Sequence, residues 1–126
     1  MRLLLSAAVA LLVASPAHAQ LAAPNASGVT FAHVHLNVAD MEFHKNLWVE
    51  QFGGVLVQKG PLVTVRFPNF LIALQGRAPT GDSQGSIMDH FGFKVRNMAV
   101  ALEKWRAAGL PVGREFMGAE GQKNAY

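Results

Sequence analysis

The 126-residue chain contains no cysteine. That excludes disulfides, thiol catalysis, thiolate metal sites and a lipid-modified N-terminal cysteine. Stability must come from packing, and any metal must sit among His, Asp, Glu, amide or water ligands. Acidic residues are also scarce, 8 against 11 Lys and Arg, but the basic ones are scattered and the formal charge is only +3. No basic stripe results from that pattern, so nucleic acid is not an expected partner. Beyond the N-terminus no apolar run approaches the roughly 20 residues that cross a bilayer. The length suits one domain rather than two.

The N-terminus reads as a targeting segment. "MRLLLSAAVALLVASPAHAQ" places Arg2 ahead of an apolar run from Leu3 to Ala14 and ends in "AHA", where Ala17 and Ala19 bracket His18. A charged start, a short apolar stretch and a small-x-small end are the marks of a cleavable signal peptide. Residues 1–19 are therefore expected to be removed, leaving a periplasmic or secreted protein with no membrane attachment. Residues 20–30, small and aperiodic, read as a linker.

From residue 31 the chain alternates and caps in a regular order. "FAHVHLNV" puts His33, His35 and Asn37 on one strand face and Val34, Leu36 and Val38 on the other. Asp40 is a good N-cap for a helix through "MEFHKNLWVEQF", with Phe43, Leu47, Trp48 and Phe52 near helical spacing and Gly53-Gly54 as the stop. "VLVQK", "LVTVRF" and "FLIALQ" read as three further strands separated by Gly60-Pro61 and Pro68-Asn69 turns. The order is β-α-β-β-β. Residues 76–88 form a polar, Gly-rich connector without a phosphate-binding pattern.

Then the order restarts. "HFGFKV" predicts a strand, Asn97 takes the capping place of Asp40, and "MAVALEKWRAAG" predicts a helix that turns Val100 or Ala101 and Trp105 inward and stops at Gly109. "LPVGREF" predicts the next strand, and the last residues read as turn-like. His33 falls on His90, Leu36 on Phe93, Val38 on Val95, Asp40 on Asn97 and Trp48 on Trp105, all 57 residues apart. A constant offset between residues of matching role points to an internal duplication. The expected domain spans 31–126, with module one at 31–75 and a partial module two at 89–126.

The stretches "HVHLNVAD…FGG…FLIALQ" and "DHFGFKVRN…ALEKWRAAGLPV" resemble the vicinal oxygen chelate superfamily, which includes glyoxalases, extradiol dioxygenases and bleomycin-resistance proteins. The resemblance implies an α+β fold in which paired βαβββ modules form a cup-shaped mixed sheet around a divalent metal. It implies His33 and His90 as metal ligands, one from the first strand of each module. The last-strand position of module one falls on Ala73, which cannot ligate. The glutamate expected from the last strand of module two is not in this chain, whose second module is expected to be truncated.

Two imidazoles and a carboxylate with open positions opposite suit non-haem Fe²⁺, and imidazole also suits Mn²⁺, Ni²⁺ and Zn²⁺. Such an ion polarises a bound oxygen or passes electrons to dioxygen. The leading expectation is thus an exported dioxygenase, or a lyase or isomerase, acting on a small oxygenated molecule. The alternatives are a metal-free binding module of the bleomycin-resistance kind, or an inactive fragment. His35 shares the face of His33 and is a weak candidate for acid–base work. Gln75 reads as a strand-end hydrogen-bonding residue, Arg66 as a surface arginine, and His44 as a solvated helix residue. Trp48 and Trp105 read as core. A small-molecule substrate and a possible homodimer complete the expectations.

Overall fold

The computed structural model describes residues 21–126. The expected signal peptide at 1–19 lies outside the described residues. Within the linker, Asn25 organises a turn: its side-chain oxygen accepts from the backbone N–H of Ser27 and Val29 at 2.9 and 3.1 Å.

Module one builds a four-stranded sheet from β1 (His33–Val38), β2 (Val55–Lys59), β3 (Leu62–Phe67) and β4 (Phe70–Gly76), in the order β1-β4-β3-β2. β4 runs parallel to β1 and antiparallel to β3. Alternation decides the faces. Val34 and Val38 of β1, Val63, Val65 and Phe67 of β3, and Ile72 and Leu74 of β4 enter one core cluster. The residues between them, His33, His35, Asn37, Thr64, Arg66 and Gln75, lie on the opposite face.

The helical segment over the core face is α1 (Met41–Asn46), which continues as a π-helical stretch over Leu47–Gln51. Asp40 caps it, Oδ1 accepting from the Phe43 N–H at 2.9 Å. Of the expected apolar stripe, Trp48 is buried but Phe43 is 49% exposed. The wider π turn rotates the later residues relative to the first turn, so a single 3.6-residue period cannot place both on the core. Gly53, at φ 72°, ends the segment.

Module two has α2 (Met98–Ala107) and a hairpin of β5 (Glu115–Met117) and β6 (Lys123–Ala125). Asn97 caps α2 through Val100 N–H at 3.2 Å. The inward residue of α2 is Leu102, 1% exposed, while Val100 is 62% exposed. Met98, Leu102 and Trp105 form the i, i+4, i+7 stripe that faces the core. Two strand expectations change. The strand predicted in "LPVGREF" is confined to β5, and the supposed turn-like tail supplies β6. Residues 90–95 make no ladder, although Phe91 and Phe93 pack on the core of module one. The reason is topological: in module one, β1 is hydrogen-bonded only to β4, and among the described residues module two has no counterpart of β4.

Candidate ligand site

The first group of polar side chains lies on the outer face of β1. His33 and His35 project from the same side, with ring centroids 5.1 Å apart. Strand register sets Ala73 opposite His35 and Gln75 opposite Asn37. Ala73 leaves room beside the ring, and Gln75 Nε2 reaches His35 Nδ1 at 2.8 Å. Donation from that amide makes Nδ1 the acceptor and leaves the neutral ring's proton on Nε2. Gln75 thus makes the hydrogen bond its place suggested. Arg66 is half-buried rather than a free surface residue, and its Nε is buried with no partner.

The second group lies where residues 90–95 cross the molecule. His90 borders a cavity of about 640 Å³. Its walls include Leu36 and Trp48 from module one, Phe91 and Phe93, Leu102 and Trp105 of α2, and Phe116 and Tyr126 of the hairpin. Trp48 is only 9% exposed, and its indole Nε1–H has no hydrogen-bond partner. The polar residues on the wall are His90, Ser83, Asn124 and Tyr126, beside the indoles of Trp48 and Trp105.

Asp89, not singled out among the sequence candidates, belongs to this site. Its Oδ2 accepts the Gly85 N–H at 2.6 Å and its Oδ1 meets His90 Nδ1 at 2.9 Å. Those bonds, the Gly85 amide first and His90 second, hold the carboxyl below the usual carboxylate range. The sequence signal was its position immediately before His90. The His90 ring also meets Tyr126 edge-on at 5.3 Å.

His90 therefore lines the cavity, whereas His33 and His35 are not among its lining residues. Among the described residues no group of three or more His, Cys, Asp or Glu is placed to hold a metal ion. The Asp89 bond to His90 Nδ1 leaves Nε2 free to act as a ligand, but His33 is not on the wall that His90 borders and Ala73 offers no donor. A divalent ion needs three or more well-placed protein ligands to be held at a site of the expected kind. The donor set of the described residues does not fit one.

No family model matches the chain, and no curated protein matches it. Solved structures do. A lactoylglutathione lyase from Agrobacterium tumefaciens superposes with a TM-score of 0.55 at 16% identity, over 77% of this chain and 83% of that one. A glyoxalase family protein from Enterococcus faecalis gives 0.54 at 17% identity, over 74% and 83%. A virulence protein from Salmonella typhimurium gives 0.51 at 17%, over 77% and 83%. At such identities the common property is the backbone architecture: the chain has the fold of the glyoxalase-type vicinal oxygen chelate proteins.

Proposed function

We propose that this chain of glyoxalase-type fold is a small-molecule binding module, and that its ligand occupies the cavity bordered by His90 without needing a metal. The observation that supports the reading is the cavity itself. Its volume of about 640 Å³ falls in the range of ligand sites, which run from roughly 300 to 1,000 Å³ with mostly apolar walls and a few polar groups. The expected metal-dependent dioxygenase, lyase or isomerase reading is less well supported, because the donor set around His33 and His90 does not fit Fe²⁺, Mn²⁺, Ni²⁺ or Zn²⁺. Action outside the cytoplasm belongs to the same proposal and rests on the signal-like sequence at 1–19.

Titration with naphthalene in the presence of EDTA tests it, read from the indole N–H resonances of Trp48 and Trp105, both on the cavity wall. Saturable shifts are expected in the full chain. Leu110 also lines the cavity, and Leu110→Trp, which places a large side chain there, should abolish them while leaving resonance dispersion intact. Absence of saturation would overturn the reading. So would binding that disappears with EDTA and returns with Ni²⁺ or Zn²⁺, which would favour the metal-dependent one.

A further inference from the structure

One group on the cavity wall has its hydrogen-bonding sense set by a neighbour, and its chemistry names a ligand class. Asp89 is fixed from one side by the Gly85 N–H on Oδ2 (2.6 Å), which turns Oδ1 to His90 Nδ1 (2.9 Å). An ionised carboxylate only accepts, so Nδ1 carries the proton and Nε2 of the neutral ring holds a bare lone pair. This is the arrangement by which a carboxylate selects one histidine tautomer. Ser83, Asn124 and Tyr126, also on the wall, can each donate or accept through their side chains, and the Trp48 indole N–H, without a partner, only donates. Among these side chains His90, through Nε2, is the one restricted to accepting. Around it stand flat aromatic faces: Phe91, Phe93, Phe116 and Trp48. Rings pack against such walls in offset or edge-on contact.

Resting on the proposed ligand site, we infer that the cavity prefers aromatic alcohols over the corresponding unsubstituted arenes, with His90 Nε2 accepting the hydroxyl proton of the ligand. The His90 and Asp89 side chains are 57% and 52% exposed, so water competes for both. The preference is accordingly modest, about tenfold, as for one hydrogen bond formed in exchange for one to water.

The probes are 2-naphthol and naphthalene, titrated into the full chain at about pH 8. The indole resonances of Trp48 and Trp105 report binding. 2-Naphthol is expected to bind about tenfold more tightly than naphthalene. His90→Phe, which keeps an aromatic ring at the rim, should bring the two affinities together. Asp89→Asn, which can donate to Nδ1 and so reverse the tautomer, should reduce the preference at least threefold. Equal affinities in the unmodified chain would overturn the inference, as would a preference that survives both substitutions. Either result would leave the cavity reading standing, because naphthalene would still bind. Failure of both probes to bind would remove the reading and the inference together.

Discussion

The indole of Trp105 lies stacked on the ring of Phe52, with centroids 4.9 Å apart and planes 22° from parallel. Phe52 closes the π-helical stretch of module one and Trp105 belongs to α2, so this pair joins the two repeats. Polar contacts reinforce it. Lys104 Nζ donates to the carbonyls of Glu50 and Gln51 at 2.6 and 3.0 Å, and Trp105 Nε1 reaches Gln51 O at 3.4 Å. Those carbonyls are among the last of the helical segment, which lack intrahelical donors. Trp105→Ala is expected to lower stability by about 2–3 kcal/mol, below the range for fully buried aromatics because Trp105 is only partly buried. Lys104→Met should lose about 1 kcal/mol, leaving its stem to pack. Urea midpoints measure both, and an unchanged midpoint in Trp105→Ala would show the repeats are held together elsewhere.

The two helix caps are built alike. Asp40 and Asn97 each receive a bond from the backbone N–H three residues on. Asp40→Ala and Asn97→Ala should each cost about 1 kcal/mol. The caps share no partner, so the double variant should lose the sum to within about 0.5 kcal/mol. Chemical denaturation of the three variants decides it.

Gly54 is the position least tolerant of a methyl group in module one. A Cβ there would lie 2.8 Å from Phe67 Cζ and 3.0 Å from the Trp48 carbonyl oxygen, and would also run into Val65. Gly54→Ala is expected to destabilise by about 1–3 kcal/mol through overpacking. Gly76→Ala, whose Cβ would meet only Met41 Cε at 3.5 Å, serves as the near-neutral control.

His44 gives stability a dependence on pH. Burial lowers its pKa, opposed by the charge of Asp40, and Nδ1 is buried without a partner. With the folded value below the unfolded 6.5, the unfolded chain binds the proton first. The stability is therefore full above that value and is lost as pH falls through the folded one. Asp89 and Glu115, whose values are also lowered, act only in the acid range of carboxylates, near pH 4 and below. Urea midpoints should thus fall between about pH 7 and pH 5. His44→Leu should flatten that slope, and an equal slope in the variant would reject the assignment.

Much of module one was legible because each of its strands has one face in the core. Val63, Val65 and Phe67 alternate with Leu62, Thr64 and Arg66, and β2 and β3 have the boundaries that alternation and the Gly60-Pro61 turn predict. Both caps and the glycine stops were legible for the same local reason. The features that escaped depend on partners distant in sequence. The burial of His44 comes from its packing near Trp48 in a turn that changes from α to π, which no residue type announces. Leu102 rather than Val100 turns inward because of where α2 docks. Residues 90–95 stay unpaired because, among the described residues, no strand lies beside them, not for lack of strand-forming residues. At the site, His33, His35 and His90 were visible as residues, while the hydrogen bonds that commit two of their rings came from Gln75 and from the neighbouring Asp89.

The parallel pairing of His33–Val38 with residues 71–76 closes the sheet between its first and last strands. A chain emerging from its N-terminus holds β1 in waiting until residues 71–76 have been made. Such distant pairing slows folding, because loop closure precedes any reward from the contact. The sheet of module one should accordingly assemble late and cooperatively, with its helix and its β2–β3 hairpin formed before the first strand is locked in.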